Sequence, residues 1–355
     1  MKRVILIDPV ENPRWDQFVL DHPFGWISHL SGWKQVLENS FKHMKGYYFA
    51  LMDDTGEKIQ AGLPVFHVKS RVTGNRLVSI PFATLCDPLI STNEDMTVLL
   101  QRVLDLSKKL KTKYIKIGTL LSHPLIQNDT FGMSGFYKHH YLSLDPKPEQ
   151  LKKKFHRTCV RQRIARAAKS NIKAKLGKDE SDVNAFYQIF MQTRKRVGRP
   201  VQPYRFFRSL WETYYPCNRI VLILAEKDGK TIAGVFLFKF KDRVSAEFAA
   251  SDETYMSVSP NHYLFWEAIQ LAHEEGYKIF DFGRTSPTNK GLMDFKQRWG
   301  TKVIDLPIFY YPKQLVGQTA KNEESIKLNI VNKICRNTPN FAQKIIGNFC
   351  YRHLG

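Results

Sequence analysis

Two stretches of this chain follow one plan, and that repetition limits its folds more than any other feature. In the first, the apolar run 47–52 meets the turn Asp53-Asp54-Thr55-Gly56, and a second run, 58–66, carries Gly62 inside it. In the second, the run 220–225 meets Lys227-Asp228-Gly229, and the run 230–238 carries Gly234. An apolar run, a glycine-bearing turn and a second apolar run spell an antiparallel β-hairpin. A glycine inside a strand marks a bulge or a close backbone approach. Downstream, an amphipathic helix over 98–110 leads to a strand ending at Gly118, and one over 263–273 leads to a strand ending at Gly283. The hairpin glycines are offset by 172 positions and the post-helix glycines by 165, a near-constant spacing that points to duplication.

The remaining segments fit this frame. The N-terminal stretch 1–9 reads as a first strand, 31–39, 181–197 and 204–214 as helices, and 243–251 as a strand. Each half therefore runs helices, hairpin, further strand, helix, strand. Hairpins combined with a crossover helix predict a mixed sheet in an α/β (α+β) fold. The 355 residues suit two domains of ordinary size plus an extension. The proline-rich run Asp145-Pro146-Lys147-Pro148 marks a boundary. The expected division is 1–146, a basic helical connector over 147–178, a second domain over 179–314, and a basic amphipathic tail over 315–355.

Charge narrows the partners. The formal net charge is +21, which favours a polyanion: nucleic acid, anionic lipid or a phosphorylated substrate. Residues 151–178 hold eleven Lys or Arg and no acid. Helical spacing puts Arg157 with Arg161, and Arg166 with Lys169 and Lys173, on shared faces, with Arg163 between. Like charges so placed repel unless an anion offsets them. Phe155, Cys159 or Val160, Ile164 and Ala168 form the opposite, apolar stripe. The five cysteines are scattered, with no C-x-x-C pair, and the histidines show no metal-ligand spacing, so no bound metal or cofactor is expected. That cysteine usage fits a reducing, cytoplasmic setting. In the tail, Ile326, Ile330, Ile334, Phe341, Ile345 and Phe349 recur at helical spacing among Lys327, Lys333, Arg336, Lys344 and Arg352. This pattern suits either a helix packed on the second domain or peripheral contact with an anionic membrane.

The sharpest segment, 280–300, reads FDFGRTSPTNKGLMDFKQRWG, with Ser259-Pro260-Asn261-His262 upstream as a helix start. A helix N-terminus beside a glycine-bearing strand end is a ready anion or oxyanion site. Together these residues, from Ser259-Pro260-Asn261-His262 through Phe280-Asp281-Phe282-Gly283-Arg284 to Phe295-Lys296 and Trp299-Gly300, resemble the second half of FemAB-type proteins. They are also similar to the BioF-type branch of the GNAT acyltransferase superfamily. The basic segment is similar to that family's Arg/Lys-rich stretch between its halves. The resemblance covers about residues 10–312, most strongly 150–312.

The resemblance implies tandem GNAT-like domains with mixed sheets flanked by helices, a C-terminal helical extension, and acyl or aminoacyl transfer. The donor would be acyl-CoA or aminoacyl-tRNA, and the acceptor an amine of a phosphorylated or lipid-linked envelope or surface-polysaccharide intermediate. Two departures bear on the donor. The Arg/Gln-x-x-Gly-x-Gly/Ala loop that cradles the CoA pyrophosphate is not evident, nor is the helical insertion of some tRNA-dependent members. By resemblance, Lys296 stabilises the oxyanion or the donor's acyl end. Arg284 is either a phosphate or carboxylate clamp or the ion-pair partner of Asp281 or Asp294. Asp281 is either a general base with a raised pKa or a structural carboxylate. Asn261, His262, Arg157, Arg161, Arg163, Lys169 and Trp299 complete the candidate substrate contacts, although Trp299 also reads as core. The competing expectation is a catalytically inactive GNAT-like scaffold that binds RNA or an anionic membrane.

Overall fold

The structure is a computed structural model that describes residues 3–316 and 326–355. The chain forms two compact units. The first takes residues 1–136, 305–325 and 349–355, and the second 137–304 and 326–348.

The first unit contains β1 (Arg3–Ile7), α1 (Pro13–Asp21), α2 (Ser31–Ser40), β2 (Met44–Met52), β3 (Ile59–Val68), β4 (Arg76–Val78), α3 (Asn93–Leu110) and β5 (Tyr114–Gly118). The hairpin β2–β3 is antiparallel, β3–β4 is antiparallel, and β4–β5 is parallel, joined through α3. Helix α3 starts at Asn93, five residues ahead of the expected 98–110. Thr92 accepts the Asp95 amide at 3.2 Å and Asp95 accepts the Thr92 amide at 3.2 Å, a reciprocal cap that satisfies two orphan donors. Its buried face, including Leu99, Leu100 and Val103, packs on Leu51, Leu63, Val65 and Ile115 of the sheet.

The second unit draws on β6 (Gly132–Ser143), α4 (Pro148–Lys154), α5 (Gln162–Ala168), β7 (Lys173–Leu176), α6 (Glu180–Arg196), α7 (Tyr204–Tyr214), β8 (Ile220–Lys227), β9 (Lys230–Phe240), β10 (Arg243–Ser251), α8 (Pro260–Glu274), β11 (Ile279–Thr285) and α9 (Lys290–Gln297). Its strands pair β7–β8–β9–β10 antiparallel, β10–β11 parallel through α8, and β11–β6 antiparallel. The first unit closes in the same way, with β5 antiparallel to β12 (Lys302–Tyr311). The repeat read from the sequence is therefore a repeat of topology. Each half's parallel pair is flanked by a strand that the other half of the sequence supplies.

The two hairpin glycines have one job. A Cβ on Gly62 would stand 2.7 Å from the Trp15 ring of α1, and a Cβ on Gly234 would stand 2.7 Å from the Phe186 ring of α6. Both glycines let an aromatic ring lie on the strand backbone.

The basic segment packs into the second unit. Leu151, Phe155, Val160, Ile164 and Ala167 are buried beside Trp266 and Trp299 in its core, and β7 pairs with β8. The buried stripe includes Ala167, whereas Ala168 is exposed. A π-helical turn over Arg157–Arg161 explains the five-residue step from Phe155 to Val160, since the Arg161 amide reaches back to the His156 carbonyl.

The tail forms α10 (Ile326–Asn337) and α11 (Asn340–Tyr351), broken where the Asn337-Thr338-Pro339 run predicts. Gly198, at φ +72°, and Gly347 hold α10 and α11 on the second unit. A Cβ on Gly198 would collide with Asn332 and Arg336 of α10, and one on Gly347 with the Val201 carbonyl. Residues Gln343, Gly347 and Tyr351 make the buried row of α11, and Lys344, Ile345 and Phe349 its exposed rows, with Arg352 exposed just past its end. The expected contributions of Ile326, Lys327, Ile330 and Phe341 lie outside the described side chains. Among the described residues, no helix is long and apolar enough to cross a membrane.

Candidate active site

The parallel register of β10 and β11 covers only Arg243–Ser245 against Ile279–Asp281. At its end both strands carry a one-residue bulge. Glu247 is the extra residue of β10, between Ala246 and Phe248 on β9's register, and Phe282 is the extra residue of β11, between Asp281 and Gly283 on β6's register. Bulges bend a strand and re-aim its side chains. Gly283 follows with φ +72°, a conformation that suits glycine. The sheet thus forks at this point, and the fork gathers ionisable groups.

Asp281 is the fully buried pin of the fork. Its Oδ2 lies 2.9 Å from the Arg243 guanidinium and 3.2 Å from His139 Nε2, and its Oδ1 accepts the Gly283 amide at 2.6 Å. Burial pushes its pKa up, but the His139 and Arg243 charges and the amide outweigh burial and hold it well below the usual range. Of the two expectations for Asp281, the lowered pKa favours the structural carboxylate over a base with a raised pKa.

Lys296 sits in the last turn of α9, where the helix dipole favours a cation. The helix begins at Asn289, whose side chain accepts the Leu292 amide at 3.2 Å. Lys296 is buried, and its Nζ donates to the carbonyls of Gly283 and Arg284, each at 3.0 Å. An ammonium has three donors, so one N–H is left over. Burial lowers its pKa to about 8 against the opposing pull of Asp281 and Glu247. Glu247, partly buried, moves the other way. Burial raises its carboxyl to about 7, although the Ser245 hydroxyl donates to it at 2.6 Å. His140, also fully buried, is pushed down to about 4 by burial and by Lys296, and so is neutral at neutral pH. The fork therefore pairs a carboxyl and an amine that both change charge near neutrality. Such a pair is what proton transfer at neutral pH requires.

The other expected site residues scatter around this fork. Arg284 is exposed, with its guanidinium 5.1 Å from the Tyr137 ring centre. Its expected ion pairs do not form, because Asp281 pairs with Arg243 and Asp294 with Arg298. Asn261 Nδ2 donates to Ser251 Oγ at 3.1 Å, tying α8 to the end of β10, while its Oδ1 is buried without a partner among the described residues. His262 is stacked on Trp299 at 6.0 Å, and burial together with Arg163 lowers its pKa to about 4. Trp299 is fully buried between Phe155, Phe265 and His262, so it is core and offers no open face to a ligand. Arg157, Arg163 and Lys169 are exposed, and Arg161 is half-buried with its Nε unpartnered among the described residues. Sequence reasoning missed Glu247, Arg243, His139 and His140. The only linear trace of the fork charges is a Glu and an Arg in an otherwise apolar strand. Among the described residues, no group of side chains could hold a metal ion.

Residues 154–297 match the acetyltransferase (GNAT) domain family. A 129-residue stretch is 26% identical to a lipid II:glycine glycyltransferase of Staphylococcus haemolyticus (strain JCSC1435), covering 32% of this chain and 30% of that relative. The chain thus spans less than a third of the curated relative it matches. The crystal structure of FemX superposes with a TM-score of 0.70 at 16% identity, over 89% of this chain and 99% of that one. The structure of L-PGS from Bacillus licheniformis gives 0.56 at 11% identity, over 92% and 97%. These structural likenesses concern the fold.

Proposed function

Starting from a chain whose residues 154–297 form a GNAT domain with FemAB-like relatives, we propose that it transfers an acyl or aminoacyl group to an amine of a cell-envelope or surface-polysaccharide intermediate. The observation that carries this reading is Lys296 and Glu247 at one strand fork, with pKa values brought to about 8 and about 7. Acyl transfer to an amine needs the amine deprotonated, the reactants aligned and the oxyanion stabilised. Glu247 accepts the amine's proton as the new C–N bond forms. The remaining N–H of Lys296 stabilises the oxyanion on the acyl carbon. The C–O or C–S bond to the donor then breaks, and its oxygen or sulfur takes up the proton. Asp281, fixed between Arg243 and His139, keeps Glu247 and Lys296 in place.

The exposed cations Arg157, Arg163, Lys169 and Arg284 supply contacts for the phosphates of the donor, aminoacyl-tRNA or acyl-CoA, which enters as co-substrate. The name of the staphylococcal relative supports an aminoacyl group and a lipid-linked acceptor. The exposed Lys344, Ile345 and Phe349 of α11, with Arg352 just past its end, support contact with an anionic membrane from the cytoplasmic side. The exposed basic segment also favours a second reading, an inactive scaffold that binds RNA or anionic membrane.

Purified protein titrated with deacylated tRNA and with CoA across a salt series tests the donor. Saturable tRNA binding with a steep salt slope and no CoA affinity supports aminoacyl transfer, and the converse supports acyl-CoA. Binding without turnover, unchanged by Lys296→Ala, supports the scaffold.

A further inference from the structure

A second feature of the GNAT domain has no place in the transfer chemistry. A surface cavity of about 570 Å³ opens where the C-terminal part of α6, the loop after β10 and helix α10 meet. One wall carries Lys195, Arg196 and Arg336, and the other Asp252, Glu253 and Thr254. Its size is that of a small-molecule site.

The cations are fixed by neutral groups. Arg196 donates to the Ser251 carbonyl at 3.2 Å, and Arg336 packs over the α-carbon of Gly198. Among the described residues neither guanidinium has a carboxylate partner, so the N–H groups that Arg196 does not spend on Ser251, and those of Arg336, can take a ligand. The acidic wall is partly spent. Asp252 takes the Thr254 amide at 3.0 Å and hydroxyl at 2.8 Å, and pairs with Lys230 at 3.4 Å, outside the lining. The cavity is therefore net positive, with carboxylate and hydroxyl acceptors facing two arginines. Planar guanidinium forks match phosphate oxygens bidentately. Carboxylates on the opposite wall repel a bare polyanion and accept hydrogen bonds from hydroxyls. Asp252 lies just past the end of β10, five residues after Glu247, a span of about 16 Å at strand rise, so the cavity is separate from the fork.

We propose that this cavity binds a hydroxyl-bearing phosphate ester, its phosphate on Arg196 and Arg336 and its hydroxyls on Glu253. The site goes beyond the proposed transfer activity and does not depend on it. The same chemistry occurs in a sugar phosphate and in the glycerol phosphate headgroup of a lipid.

Calorimetric titration of the full chain with glucose 1-phosphate and with glycerol 3-phosphate tests the proposal, with inorganic phosphate and glucose as controls. The expected result is saturable binding of at least one ester, tighter than inorganic phosphate, and weakened about tenfold or more by Arg336→Ala. Preference for glucose 1-phosphate assigns a sugar phosphate, and preference for glycerol 3-phosphate a lipid headgroup. Glu253→Gln, an exposed change that leaves the fold intact, lowers ester binding and spares inorganic phosphate. No ester binding, equal binding of inorganic phosphate, or ester binding unaffected by Glu253→Gln overturns the proposal.

Discussion

Asp281 and Arg243 form a 2.9 Å ion pair in which the carboxylate is fully buried, at the last rung of the parallel pairing between β10 and β11. Removing one partner of such a pair leaves an uncompensated buried charge. Asp281→Asn is expected to cost about 3–5 kcal/mol of unfolding free energy, read from urea denaturation. Because the Asp281 pKa is held down in the folded state, its contribution is present above the unfolded value of about 3.9 and fades as pH falls below it. Wild type and Asp281→Asn should therefore converge in strong acid. A gap of the same size at pH 2 and pH 7 would contradict the pin.

Lys296→Met keeps the length of the side chain and removes its donors. If the remaining N–H stabilises the oxyanion, the variant should lose about a hundredfold to a thousandfold in kcat with little change in donor affinity. A loss confined to KM would assign Lys296 to binding instead.

The rate should follow a bell-shaped pH profile, rising as Glu247 ionises near pH 7 and falling as Lys296 loses its proton near pH 8. Both limbs are properties of the coupled pair. Glu247→Gln should abolish the rising limb and most of the rate. Its effect on stability has the opposite sense. A carboxyl with a raised folded pKa contributes stability below its unfolded pKa of about 4.3 and loses it as pH rises through about 7. The variant should thus melt higher than wild type at pH 8. A lower melting temperature there would show that ionised Glu247 is not under strain.

Buried His140 and His262, both lowered to about 4, make the second unit acid-sensitive. Their unfolded value is about 6.5, so the unfolded chain binds more protons between the two values and stability falls as pH drops through that window. Thermal melts from pH 7 to pH 4.5 should show this loss, and His140→Gln should flatten it. An unchanged slope in that variant would remove His140 as a cause.

Gly62→Ala and Gly234→Ala place a methyl 2.7 Å from an aromatic ring in each half. Each should destabilise its own unit by about 1–3 kcal/mol through overpacking. Chemical melts of the two variants should show similar losses. A neutral result at one site only would mean that the two glycines do not play one role.

Much of the fold is legible in the sequence because hairpins and crossover helices are local. The turn at Gly56 and the helix over 204–214 declare themselves within a few residues, whereas the helix expected over 98–110 starts five residues earlier, at the reciprocal cap of Thr92 and Asp95. The π-helical turn was not legible, because a single extra residue leaves hydrophobicity almost unchanged while it shifts the buried face. The candidate site was half legible. Lys296 and Asp281 stand in one dense motif, whereas Glu247, Arg243, His139 and His140 are separated from it by whole strands.

By itself the sequence determined the repeated strand and helix plan, the surplus of positive charge and the presence of a lysine after Phe295. These depend on periodicity and composition, which act over short range. Tertiary structure alone decided which carboxylate is the fixed ion and which is poised to titrate. Pairing of β11 with β6 and β10 places Asp281 against His139 and Arg243, while Glu247, at a one-residue bulge, makes no ion pair among the described residues and is governed by burial. Two carboxylates of the same chemistry thus acquire opposite pKa shifts, because the balance of burial and neighbouring charge is set only when distant strands come together.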